Sequence, residues 1–185
     1  MKNTDMEQNI KEVLVDEETI ARTVKELGKQ ITEDYKGKEL IVVGILKGAI
    51  MFLSDLVREV KIPLILDFMS VSSYGDSTQT SGAVRFLKDL EVSIEGKHVL
   101  IVEDIVDTGL TFNYLLDNLR SRKPASLKTC TFLDKPSRRK ADVQVDYKGL
   151  EVPDEFVVGY GLDFAEEYRN LPYIAVLKPE VYENK

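Results

Sequence analysis

The chain has one cysteine, Cys130, and one histidine, His98. An internal disulfide is therefore excluded, and the two residues cannot build a four-ligand structural zinc site. Scarce cysteine fits a cytosolic setting. No apolar run approaches membrane-spanning length, and Met1 to Asn9 is polar and carries acids, unlike a secretory signal, so no membrane partner is expected. A basic excess is missing too: the net charge is −7, which argues against a protein whose main task is to hold nucleic acid by its phosphates. The chain lacks a Gly-x-Gly-x-x-Gly fingerprint. Its nearest approach to a nucleotide P-loop, Gly44-Ile45-Leu46-Lys47-Gly48, has lysine before glycine, the reverse of what a P-loop requires. No internal repeat and no dividing linker appear, and 185 residues suit one well-packed domain.

What is present centres on residues 98–111. Val99-Leu100-Ile101-Val102 is short, apolar and mostly β-branched, as in a strand buried on both faces of a parallel sheet. Glu103 and Asp104 stand where that strand is expected to end, and Asp107 precedes Thr108-Gly109-Leu110-Thr111. The segment Phe112 to Leu119 then has helical spacing. Strand, acidic edge, small polar turn and helix together make a ligand site, because ligands collect at the carboxyl ends of strands in open α/β sheets and a helix start offers free N–H groups to a phosphate. Gly109 permits close backbone approach, and the threonine hydroxyls add donors. Three carboxylates would repel a bare phosphate. They are better matched to sugar hydroxyls, a divalent cation or a proton in transit, which together describe a phosphorylated sugar with magnesium nearby. Each feature alone has a plainer explanation, Asp107 as a helix cap and Glu103-Asp104 as a strand end; the whole order does not.

Along the rest of the chain, Ile20, Val24, Leu27, Ile31 and Tyr35 form one stripe of a helix over residues 16–36. Leu40 to Leu46 reads as a buried strand, followed by a helix to about Val60 and a strand from Leu64 to Val71. Further strands are expected at Leu127 to Leu133 and Tyr173 to Leu177, with a short extended run at Phe156 to Val158. The rhythm implies an α/β fold with a central, mostly parallel twisted sheet flanked by helices. Residues 72–82 are small and polar without period, a loop of a length that usually has a task.

Val99 to Thr111 resembles the thirteen-residue 5-phosphoribosyl-1-pyrophosphate (PRPP) binding motif of type I phosphoribosyltransferases: hydrophobic strand, two acids, two hydrophobic residues, Asp-Thr-Gly, one residue, Thr. Downstream segments narrow the resemblance to the bacterial hypoxanthine-guanine branch, from about residue 10 almost to the C-terminus. It implies a single domain with a core of about 36–135, a hood from about 10–35 and 136–185, and a lid at about 72–82 in which Ser73 and Tyr74 close over pyrophosphate. Lys47 and Gly48 match a turn that binds pyrophosphate, with an unusual peptide geometry between the two. Arg169 matches a further pyrophosphate contact, and Thr108, Gly109, Leu110 and Thr111 the phosphate loop. Lys135 matches the lysine at the purine 6-oxo group, Phe156 the stacking aromatic and Val157 the residue whose backbone meets the ring edge. Asp163 matches an acid near the base and a second magnesium, while Glu103 and Asp104 match the acids for ribose hydroxyls and Mg2+. Asp107 falls near purine N7, where it could accept a proton.

The implied activity is phosphoribosyl transfer from PRPP to hypoxanthine or guanine with release of pyrophosphate, by a homodimer or homotetramer. Two other functions share parts of the pattern. A PRPP-sensing regulator would keep the donor site but add a DNA-binding segment or a basic face, neither of which the sequence supplies. A transferase preferring xanthine would differ mainly in backbone contacts around Val157.

Overall fold

The computed structural model describes residues 6–73 and 84–182. The chain enters through strand β1 (Ile10–Val15) and helix α1 (Glu17–Asp34), whose start is fixed by Asp16 accepting from the Thr19 N–H at 2.8 Å. Strand β2 (Leu40–Leu46), helix α2 (Ile50–Glu59), strand β3 (Leu64–Ser73) and strand β4 (Val84–Lys88) follow. Strand β5 (His98–Val106), helix α3 (Leu110–Ser121), strand β6 (Ser126–Asp134) and strand β7 (Tyr147–Glu151) complete the main sheet. The chain ends in the short strands β8 (Val157–Val158) and β9 (Ile174–Leu177) and a single turn, α4 (Pro179–Tyr182).

Six strands form the main sheet in the order β4-β3-β2-β5-β6-β7, parallel throughout except for the β3–β4 pair. The expected central, mostly parallel sheet is present. Its two middle strands owe their composition to burial on both sides. Leu40, Val42, Leu100 and Val102 point into one core with α1 and α2, while Ile41, Val43, Val99 and Ile101 point into another with Phe112, Leu115, Leu116 and Leu119 of α3. A second, antiparallel sheet in the order β1-β9-β8 is made from the two ends of the chain.

The strand order positions the site. From β2 the chain passes through α2 to β3 on one side, and from β5 it passes through α3 to β6 on the other. The two connections diverge from neighbouring strands and leave a crevice between them at the carboxyl ends, the usual ligand position in open α/β sheets.

Two strands were missed in the sequence. β1 and β7 are short and mostly exposed on at least one face, so neither carries a clean alternation. β5 also runs past its expected end. Glu103 pairs with Thr131, Ile105 with Leu133 and Val106 with Asp134, so the acids lie inside the strand rather than after it.

Phe52 of α2 is fully buried, its ring 5.1 Å from that of Phe132 on β6. Phe52→Ala is expected to cost about 3–5 kcal/mol. A lower denaturant midpoint with an unchanged slope is the expected result, and an unchanged midpoint would contradict this packing.

Candidate active site

At Val102 the middle of the sheet divides. The β2–β5 ladder stops at Gly44–Val102, whereas β5 stays paired to β6 as far as Val106. From Glu103 onward β5 therefore has a free edge on its β2 side, and the carboxylates occupy that edge. Gly48 packs against Asp104 so closely that a Cβ there would lie 1.8 Å from its Oδ2. On the other side of the same turn, a Cβ on Gly161 would lie 2.0 Å from the Gly48 carbonyl oxygen. The Lys47-Gly48 turn is thus clamped between Asp104 and the loop after β8.

Both helices that begin at this crevice start without a side-chain cap and with no acidic residue in the first turn. α1, remote in strand order, has Asp16, Glu17 and Glu18 there instead. Helix starts of this kind, with their positive dipole ends, favour anions. Gly109 precedes α3 with φ of 77°, and a Cβ would also press on Arg139 and Val143 at 3.1 Å, so glycine is required for conformation and for space. Arg139 braces the turn from behind. It donates to the carbonyls of Asp107 (3.1 Å) and Val143 (3.2 Å) and pairs with Asp134, while the N–H groups of Lys140 and Ala141 donate to the Thr108 carbonyl.

Two cavities meet at Asp107. One, of about 180 Å³, is lined by Glu103, Asp107, Thr108, Gly109 and Thr111 with Ile45, Val71 and Phe112 among the apolar walls. The other, of about 320 Å³, is lined by Lys135, Arg138, Asp154, Phe156, Val157, Leu162 and Tyr182. Ile105 and Asp107 border both. Among the described residues, three of the four buried side-chain polar atoms without a hydrogen-bond partner are Glu103 Oε2, Asp107 Oδ1 and Arg169 Nε. Unsatisfied buried atoms are costly, and two of these three, on Glu103 and Asp107, belong to residues lining the smaller cavity, which marks it as a seat for a polar ligand. Burial, and then the adjacent Asp104 carboxylate, push Glu103 well above the ordinary carboxylate range. Burial also raises Asp104, opposed by the Ile105 N–H that donates to Oδ1 at 2.7 Å.

A family model described as "Phosphoribosyl transferase domain" matches residues 12–165. The chain belongs to this family. It is 55% identical to a hypoxanthine-guanine phosphoribosyltransferase of Bacillus subtilis over 97% of this chain and 99% of that protein. Identity to the protein of the same name from Staphylococcus aureus strain Mu50 is 56%, over 97% and 100% of the two chains. A crystal structure of a hypoxanthine phosphoribosyltransferase from Staphylococcus aureus superposes with a TM-score of 0.93 at 55% identity, covering 98% of this chain and 99% of that one.

The phosphoribosyltransferase crevice brings together Gly48, Glu103, Asp104, Asp107, Thr108, Gly109 and Thr111. Leu110 is half exposed on the first turn of α3 and directs no polar group into either cavity. Lys135 is only 4% exposed, and its Nζ donates to the Glu155 carbonyl at 2.9 Å on the wall of the larger cavity. There Phe156 has its edge toward Phe164 and a stacked Tyr182, ring centroids 4.9 Å apart. Asp163 lines neither of these cavities. Its carboxylate accepts from Arg169 Nη2 and from the Glu166 N–H, both at 2.9 Å. Lys47 is exposed and pairs with Glu166 at 2.8 Å. The unusual peptide falls one residue earlier than expected: the cis bond joins Leu46 to Lys47, and the demand on Gly48 is the steric one from Asp104. Ser73 ends β3, and Tyr74 with the rest of the expected lid lies outside the described residues.

Ile105, Arg138, Arg139, Leu162 and Tyr182 were missed. Ile105 was masked by its place between acids, and Arg138 and Arg139 belong to a basic run that resembles any solvated surface.

A carboxyl whose pKa is raised on folding contributes stability that is present at low pH and lost as pH rises through the raised value. Wild-type stability is therefore expected to fall relative to Glu103→Gln as pH climbs above 4.5, the ordinary value for this group. Denaturation midpoints across pH measure this, and parallel profiles for the two chains would contradict a pKa raised by burial at Glu103.

Proposed function

We propose that this phosphoribosyltransferase moves the 5-phosphoribosyl group of PRPP onto N9 of hypoxanthine or guanine, releasing pyrophosphate and giving IMP or GMP, a purine-salvage reaction. The observation that carries the proposal is the position of Asp107 on the wall shared by two cavities, one backed by an uncapped helix start and carboxylates, the other by a buried lysine and an aromatic ring.

In this account the 5-phosphate sits on the turn Thr108 to Thr111 at the start of α3, where N–H groups and dipole favour it. Glu103 and Asp104, along the free edge of β5, take the ribose hydroxyls. Lys47, Gly48 and Arg169 receive pyrophosphate, with Ser73 and Tyr74 closing over it to exclude water. Phe156 stacks on the base and the Val157 backbone meets its edge. Asp163 lies within reach of the pyrophosphate cations through its pair with Arg169. Negative charge on β5 favours the positive character that the ribose gains as pyrophosphate departs.

No group of three or more His, Cys, Asp or Glu close enough to hold a metal ion exists among the described residues. Mg2+ keeps water and substrate oxygens and needs only one or two carboxylates. The unpartnered Glu103 Oε2 and the neighbouring Asp104 fit such a role, as does Asp163 on the pyrophosphate side. Bound there, Mg2+ supplies positive charge to the leaving pyrophosphate.

Asp107 Oδ1 is buried without a partner, free to take a proton from the base as N9 bonds to carbon. The Lys135 ammonium offers only donors. It matches a 6-oxo group and leaves a 6-amino group unpaired, a mismatch worth about 1–3 kcal/mol. The proposal extends to a hood from about 10–35 and 136–185 over a core of about 36–135, a homodimer or homotetramer, and a cytoplasmic setting. None of the described helices is long and apolar enough to cross a membrane.

Pyrophosphate release from PRPP and Mg2+ tests the function directly with each of hypoxanthine, guanine, xanthine and adenine. Turnover is expected with the first two and about 10- to 100-fold less with adenine; adenine as the best acceptor, or no release with any base, would overturn the proposal. Asp107→Asn is expected to lower kcat by about 10²- to 10⁴-fold with little change in the KM for PRPP. Equal losses in both constants would remove Asp107 from the proton role.

A further inference from the structure

Glu166 extends one carboxylate oxygen to both cations assigned to pyrophosphate. Its Oε2 accepts from Lys47 Nζ at 2.8 Å and lies 3.5 Å from Arg169 Nη2. The backbone holds it there. Ala165, Glu166 and Tyr168 all have positive φ, of 51°, 67° and 77°, a conformation that costs non-glycine residues energy. The Glu166 N–H is tied to Asp163 Oδ2 at 2.9 Å, and Gly161 presses the same loop onto Gly48. The pair with Lys47 adds little to the fold, since both side chains are about two-thirds exposed, at 66% and 65%. Its effect falls on the charge of the seat. Lys47 and Arg169 carry two positive charges, Asp163 and Glu166 two negative, so the four cancel; without Glu166 the seat carries one net positive charge. Lys47 lowers the Glu166 pKa and keeps the carboxylate charged.

We propose that Glu166 is a built-in competitor for the pyrophosphate seat, occupying Lys47 and Arg169 when the diphosphate is absent and reclaiming them as it leaves. This rests on the assignment of those two cations to pyrophosphate in the function proposed above. The physical reason is that contacts made equally to the bound donor and to the released product slow product departure without lowering the barrier. An anion supplied by the chain weakens the grip on the leaving diphosphate and touches neither ribose nor base.

The test is a calorimetric titration of the full chain with inorganic pyrophosphate and Mg2+, comparing wild type, Glu166→Gln and the charge-retaining Glu166→Asp. Glu166→Gln is expected to bind pyrophosphate about two- to fivefold more tightly, the range expected for an exposed ion pair, and to be more strongly inhibited by it. The KM for hypoxanthine should stay unchanged, Glu166→Asp should remain near wild type, and added salt should narrow the gap. Equal or weaker pyrophosphate binding by Glu166→Gln would overturn the proposal, the weaker result making Glu166 an organiser of Lys47 instead. The titration needs no turnover. A wild-type chain that binds pyrophosphate but transfers nothing would sink the proposed function and leave this comparison readable.

Discussion

The site depends on a parting of strands. β5 loses β2 as a partner after Val102 yet keeps β6 to Val106, so four residues of ordered strand, Glu103 to Val106, stand with one edge open in the middle of the sheet. A loop could present carboxylates, but a strand held by one neighbour presents them rigidly. The cost is polar atoms sealed off from water without partners, which an empty crevice must bear and a bound ligand relieves. Folding bears that cost at Glu103, whose carboxyl pKa is raised by burial and then by the adjacent Asp104.

Close contact with backbone does the remaining positioning. Gly48 lets Asp104 lie directly against the turn after β2, and Gly161 lets the loop after β8 lie against the same turn from the other side. That second contact links the small terminal sheet to the main one at the place where charge is concentrated. Lys47, Asp163, Glu166 and Arg169 form a balanced set of ion pairs there. Exposed pairs of this kind contribute little to stability. Their value lies in how easily an incoming anion exchanges partners with them.

The fold and half of the site were legible in the sequence because those parts obey local rules. Val99 to Val102 could be read as a doubly buried strand from its β-branched run, and the turn at Gly109 from its position between acids and a helical period. Gly109 has the positive φ such a turn needs, and α3 starts there uncapped. The rest depended on distant parts of the chain. Nothing around Arg139 indicates that it reaches the carbonyl of Asp107, 32 residues away. Tyr182 looks like an ordinary terminal residue until it stacks on Phe156. β7 became a strand because β6 offers it an edge, a tertiary cause that its own residues do not announce. Lys135, Phe156 and Asp163 were assigned by resemblance. Folding brings the first two to one cavity and turns the third toward Arg169.

The central claim is that the open edge of β5 and the bare starts of α2 and α3 receive one phosphorylated sugar. A crystal structure of the chain with PRPP and Mg2+ measures this most directly. The account predicts the 5-phosphate on the backbone N–H groups from Gly109 to Thr111, the ribose hydroxyls against Glu103 and Asp104, and the pyrophosphate at Lys47 and Gly48. PRPP bound elsewhere, or the crevice empty at saturating concentration, would contradict it.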